Sequence, residues 1–133
     1  MTELRQVYKC DICGNMIEVV HAAGGSLVCC GKPMTLKKEN TTDAANEKHV
    51  PVLEEVDGKV VARIGSVEHP MTPEHHIEWI ELHTEDRVYR KYLSVDEKPE
   101  AVFSTTLDKV LYAREYCNLH GLWKSTKLLT LSA

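Results

Sequence analysis

The chain contains no apolar run approaching the roughly 18 residues of a membrane-spanning helix. Met1 to Gln6 leads into no hydrophobic signal core. Positive charge is not in excess either: 16 Lys and Arg face 20 Asp and Glu, a formal net charge of -4. That balance argues against a nucleic-acid footprint and against an anionic membrane surface as partner. Cysteines are odd in number, five in all, so a closed disulfide framework does not account for them. Internal repeats and low-complexity segments are absent. A soluble, cytoplasmic protein is the expectation. At 133 residues, 43% apolar and 27% charged, it has ordinary globular composition, with room for one domain or for a very small one beside a larger one.

What the chain does have is soft ligands: Cys10, Cys13, Cys29, Cys30 and Cys117, and histidines at 21, 49, 69, 75, 76, 83 and 120. Residues 1–36 hold four of the five cysteines, turn signals at Cys13-Gly14 and Gly24-Gly25, and short strand-like runs at 16–20 and 27–28. A fold below about 40 residues usually needs a metal or disulfides to supplement its core. Residues 37–48 are polar and aperiodic, which predicts a linker ending in a functional loop. Residues 49–133 read as short strands between turns: 50–56 and 59–64 around Asp57-Gly58, then 77–83, 88–93, 101–105 and 110–116. Strands at about 10-residue spacing predict a β-sandwich. Thr72-Pro73-Glu74 also resembles a capped helix start, so a single helical turn carrying His75 ahead of a strand is expected there.

Cys10 and Cys13 form a CxxC knuckle, and Cys29-Cys30 supplies a second pair after 15 intervening residues. Four thiolates at that spacing surround one tetrahedral ion, iron or zinc. Adjacent cysteines project in different directions and distort a tetrahedron, a distortion that a redox iron tolerates. The stretches 10–19 and 27–34 resemble desulforedoxin. That resemblance implies a one-iron, four-cysteine electron-transfer centre; a zinc brace is the plainer alternative.

In the larger segment, Cys117-Asn118-Leu119-His120 places a thiolate and an imidazole on one loop. His49 opens a strand, while Pro70 and Pro73 restrict the loop bearing His69 and His75. His75 and His76 are adjacent and point oppositely in extended chain, so only one easily serves a given ion. His21 and His83 read as solvated histidines. Taken singly each histidine is filler; five soft ligands beside an existing cysteine knuckle are harder to dismiss.

The stretches 47–52, 69–80 and 117–123 match the desulfoferrodoxin (superoxide reductase) family, and with the first site the resemblance covers nearly the whole chain. It implies a mainly β protein: a small metal-braced desulforedoxin-like domain at 1–36, a linker and active-site loop at 37–48, and an immunoglobulin-like β-sandwich at 49–133. It further implies two non-haem irons, one held by Cys10, Cys13, Cys29 and Cys30, the other by His49, His69, His75 and His120 in a plane with axial Cys117. Five protein ligands exceed the four of structural zinc and leave one octahedral position open, which is where chemistry happens.

The implied activity is one-electron reduction of superoxide to hydrogen peroxide without release of dioxygen. Ferrous iron with four neutral imidazoles and one thiolate carries a formal charge of about +1, which attracts a small anion. Lys48 beside His49 adds to that field and is the expected proton-relay residue. Glu47 is implied as the carboxylate that occupies the sixth position of the oxidised iron. Rubredoxin or an NAD(P)H-dependent reductase is the implied donor, and a homodimer the implied assembly. Two other functions stay open: a two-iron electron carrier without catalysis, and a zinc-braced scaffold, which would be colourless.

Overall fold

The structure is a computed structural model that describes residues 1–42 and 48–125. It divides into two compact units, Met1–Lys38 and Glu39–Ala133.

The first unit is built from strands of two or three residues. β1 (Val7–Lys9) lies between β2 (Met16–Glu18) and β5 (Thr35–Leu36). β3 (Val28–Cys29) and β4 (Lys32–Pro33) form a separate hairpin. So little chain buries little: among the unit's described residues only Val7, Cys10 and Val19 belong to the buried hydrophobic set. Such a core is too small to hold the unit by itself.

The second unit is a two-sheet sandwich. β6 (Glu39–Asn40), β7 (Pro51–Val56), β8 (Lys59–Ile64), β9 (Ile77–His83), β10 (Val88–Tyr92), β11 (Glu100–Phe103), β12 (Tyr112–Cys117) and β13 (Gly121–Ser125) follow in chain order. The larger sheet runs β10-β9-β12-β13-β6 and the smaller one β11-β8-β7. Strand alternation explains the layering. Leu53, Val60, Ala62 and Ile64 of the smaller sheet meet Ile77, Ile80, Leu82, Ala113 and Cys117 of the larger in one apolar cluster. The architecture is the β-sandwich expected from the strand spacing, in the mainly β, immunoglobulin-like form that the family resemblance implies. Among the described residues the only helical element is a 3-10 turn at Leu107–Lys109, and no helix is long and apolar enough to cross a membrane.

Asp57 and Gly58 join β7 to β8 with φ of +52° and +75°. Left-handed backbone at both central positions matches the twist of a tight hairpin. Within the polar stretch read as a linker, residues 39–40 form an edge strand: β6 pairs in parallel with β13, and Asn40 Nδ2 donates to the Leu122 carbonyl at 3.1 Å. The helical turn expected at Thr72 is not formed. Thr72 Oγ1 does accept the His75 N–H at 3.1 Å, as an N-cap would. However, the Thr72 and His75 backbones bond each other in both directions and close the loop before a helix propagates.

His83 also departs from expectation. Its ring is buried, hydrogen-bonded through Nε2 to Glu81 Oε1 at 2.7 Å and stacked on Tyr112. Glu81 and His83 project from β9 on the side opposite Ile80 and Leu82, where Arg114 of β12 joins them. Burial at that position would leave a lone imidazole unsolvated, so it is kept with a carboxylate partner.

Candidate metal centres

The four N-terminal cysteines converge although they come from two separate turns. Each of their sulfurs lies within 4.8 Å of the other three. The CxxC knuckle is shaped by backbone bonds: the Cys13 N–H donates to Cys10 Sγ at 3.5 Å, and the Asn15 N–H to Cys13 Sγ at 3.5 Å. Gly14 sustains that turn at φ +85°. In the second pair, Cys30 takes a left-handed φ of +54°, which brings its sulfur to 4.0 Å from that of Cys29. A non-glycine residue in that region carries about 1–2 kcal/mol of strain, so convergence of the adjacent thiols is maintained against a conformational cost.

Protonation of the cluster shows what it needs. Backbone N–H groups of Cys13 and Ile12 lower the Cys10 thiol to about 6. Hydrogen bonding to Cys13 and then Cys29 pushes Cys30 up to about 12, and contact with Cys13 raises Cys29 as well. Four sulfurs this close cannot all ionise by themselves; a bound cation removes the conflict by accepting four thiolates at once. The donor set therefore fits a tetrahedral metal, iron included.

In the sandwich unit, His49, His69, His75 and His120 stand as a square. Successive ring centroids are 4.6 Å (His49 to His69), 4.7 Å (His69 to His75), 5.0 Å (His75 to His120) and 5.0 Å (His120 to His49). Neighbouring rings cross at 62° to 80°, a pinwheel that turns ring edges toward a common centre. Cys117, fully buried at the end of β12, brings its Sγ to 3.6 Å from His69 Nε2 and 3.9 Å from His120 Nδ1. Ligand-type atoms of His49, His69, His75 and Cys117 lie within 4.8 Å of one another.

His69 has its tautomer set by the chain. Its Nδ1–H donates to the Pro70 carbonyl at 2.8 Å, which leaves a lone pair on Nε2. That Nε2 lies 3.0 Å from His49 Nε2. Lone pairs and a sulfur aimed at one point suit a cation, and four imidazoles with one thiolate suit iron better than a four-coordinate structural zinc.

Of the other histidines, His21 is exposed in the first unit. His76 turns away and bonds the Thr72 carbonyl through Nδ1 at 2.9 Å. Lys48 is half-buried directly before buried His49. Glu47 lies outside the described residues.

Two residues of this region escaped the sequence reading. Trp123 stacks on His49 at 4.5 Å with an interplanar angle of 12°, and its Nε1–H donates to the His120 carbonyl at 3.1 Å. Its place three residues after His120 was a usable signal. Gly65 (φ +80°) packs so closely on the Lys48 backbone that a Cβ there would lie 2.4 Å from the Lys48 carbonyl oxygen and 2.7 Å from that of Val67. Nothing local in the sequence marks that contact.

Residues 2–36 match the family model described as Desulfoferrodoxin, N-terminal domain, and residues 41–126 match Desulfoferrodoxin. The chain is 54% identical over 125 residues to the desulfoferrodoxin of Syntrophotalea carbinolica, covering 94% of this chain and 98% of that one. It is 45% identical over 101 residues to the superoxide reductase of Pyrococcus abyssi, covering 62% of this chain and 88% of that one. The crystal structure of the superoxide reductase from Treponema pallidum superposes with a TM-score of 0.75 at 38% identity, covering 90% of this chain and 96% of that one. With a four-cysteine cluster followed by a histidine square over a buried cysteine, and with both family segments matched in that order, the chain belongs to the desulfoferrodoxin family.

Proposed function

We propose that this protein is a superoxide reductase, an oxidoreductase that converts superoxide to hydrogen peroxide using one electron and two protons. The observation that carries this reading is the square of four imidazoles with the buried Cys117 sulfur 3.6 Å from His69 Nε2 and 3.9 Å from His120 Nδ1. His49, His69, His75, His120 and Cys117 would hold one non-haem iron, and Cys10, Cys13, Cys29 and Cys30 a second. Bound there in the ferrous state, the first of these would supply the one electron that superoxide takes up.

The chain's own residues do the rest. Four neutral rings and one thiolate would offset only one of the two charges of a ferrous ion held there, so an anion would be drawn in despite the overall charge of -4. Lys48, held beside His49, strengthens that attraction and delivers a proton to the developing peroxide. Glu47 would supply a carboxylate to the centre in its oxidised form. The His69 tautomer is fixed by the Pro70 carbonyl, and Trp123 clamps His49 and the His120 backbone.

In this reading residues 1–36 are an electron-transfer domain, 37–48 the linker and active-site loop, and 49–133 the catalytic domain. Rubredoxin or an NAD(P)H-dependent reductase is the electron donor, the assembly a homodimer, and the compartment the cytoplasm.

The test is metal analysis with visible spectra of air-oxidised and dithionite-reduced protein, then stoichiometric superoxide added to the reduced form. Oxidation of the histidine-thiolate centre with one peroxide released and no dioxygen supports the proposal. A centre that stays reduced, or that holds zinc, overturns it. Azide binding to the oxidised centre separates the enzyme from a coordinatively closed electron carrier.

A further inference from the structure

Asn118 sits between Cys117 and His120 and had no role assigned to it by its sequence. Its side chain crosses to a segment more than 40 positions away. Oδ1 accepts the His76 backbone N–H at 2.8 Å, and Nδ2 donates to the Glu74 carbonyl at 2.9 Å. The Asn118 backbone N–H completes the junction by donating to the His76 carbonyl at 3.1 Å. Those two partners flank His75 on either side. The His75 backbone is meanwhile closed on Thr72 by reciprocal main-chain bonds and by Thr72 Oγ1, so the loop is an internally bonded unit docked through Asn118.

The position of the junction follows from the sheet. β12 and β9 pair regularly to Tyr116 and Trp79, then the register slips so that Cys117 faces Ile77. Regular strand pairing gives out at the point where the ligand loops begin. One planar amide presenting both a donor and an acceptor replaces it. Asn is the short side chain with both functions: Asp ionised has only acceptors, and Ser cannot span two backbone groups in this way.

We propose that Asn118 is a positioning residue for the superoxide-reducing centre, holding His75 in register with Cys117 and His120. This rests on the reading of His75 as an iron ligand. The Asn118 side chain bonds backbone groups of Glu74 and His76 and is not one of the five donors. It joins the loop carrying one imidazole to the loop carrying the thiolate and another imidazole, so its loss lets His75 drift relative to the other four donors.

The test compares full-length, iron-loaded Asn118→Ala, Asn118→Asp and His75→Ala with the unaltered chain. Iron release from the histidine site to a chelator, the absorption band of its oxidised thiolate centre, and His76 amide exchange in the metal-free protein are measured. Near-UV circular dichroism reports the fold of the larger unit, where both tryptophans lie. Asn118→Ala is expected to release iron roughly 10-fold faster, at the lower end of what loss of a supporting partner costs a metal site, to shift the thiolate band and to speed His76 exchange. Asn118→Asp keeps an acceptor for His76 but sets a carboxylate against the Glu74 carbonyl, so it shifts the band while His76 stays protected.

A merely structural role would lower the thermal midpoint and leave the band where it was. If Asn118→Ala leaves release and band unchanged while His75→Ala abolishes the centre, the positioning proposal is overturned and the ligand reading stands. If His75→Ala also changes nothing, both fall. Should Asn118→Ala not fold, Asn118→Asp decides, and an unshifted band there overturns the proposal.

Discussion

Glu81 is completely buried, and its carboxylate is gripped by three bases: His83 Nε2 at 2.7 Å, Arg114 Nε at 2.9 Å and Arg90 Nε at 2.7 Å. Burial by itself pushes such a group upward. The His83 hydrogen bond, then the charges of Arg114, His83 and Arg90, more than reverse that and hold it at about 2 instead of the ordinary 4.5. That difference corresponds to about 3 kcal/mol of folding stability. It sits within the range of roughly 3–5 kcal/mol for removing one partner of a buried ion pair.

Because the folded value is depressed, the contribution is complete above pH 4.5 and is lost as pH falls through about 2. Glu81→Gln keeps the shape and removes the charge. It leaves Arg114, itself 1% exposed, without the Glu81 charge while its ion pair with Glu39 at 3.0 Å persists. Urea unfolding of both proteins in metal-free form, followed by tryptophan fluorescence, is expected to show a gap of about 3 kcal/mol at pH 7. The gap narrows below pH 4.5 and closes near pH 2. A gap below about 1 kcal/mol, the size of a single neutral hydrogen bond, or one that ignores pH, refutes the reasoning.

Gly65→Ala combines left-handed strain of about 1–2 kcal/mol with a collision against the Lys48 and Val67 carbonyls. It should destabilise the sandwich and slow the reaction with superoxide while leaving the four-cysteine spectrum intact; stopped-flow rates at wild-type level would contradict this. Trp123→Phe keeps the stack on His49 but loses the bond to the His120 carbonyl, for an expected loss of about 1 kcal/mol in chemical denaturation. Removing metal with a chelator should abolish amide protection at Tyr8 and Lys9, since the described part of that unit has only Val7, Cys10 and Val19 as its buried apolar set. Protection at Leu82 and Ala113, in the sandwich core, should persist.

The strands of the sandwich were legible because alternation and turn chemistry are local: β8 and β9 run over 59–64 and 77–83, the ranges expected from the pattern. The Asp57-Gly58 hairpin was legible for the same reason, since left-handed backbone at both positions favours those residue types. The Thr72 segment was half legible. Its hydroxyl makes the capping bond, yet reciprocal bonding with His75 closes the loop before a helix starts. His83 was read as solvated because its position near a strand end does not reveal what covers the ring. Glu81 and Arg114 carried no sequence sign of their pairing, which joins positions 33 apart.

The sequence alone determined the chemistry available to this protein: two groups of soft donors, the turns that present them and the strand alternation that builds a sandwich. Those depend on residue type and on spacing within a few positions. Only the tertiary structure decided which histidines meet. His49, His69, His75 and His120 close a square, whereas His76 and His83 bond Thr72 and Glu81. It also decided what holds them there, through Asn118, Trp123 and Gly65. The physical reason is that convergence on a point is set by packing between segments distant in the chain, where one backbone register determines which side chain points inward.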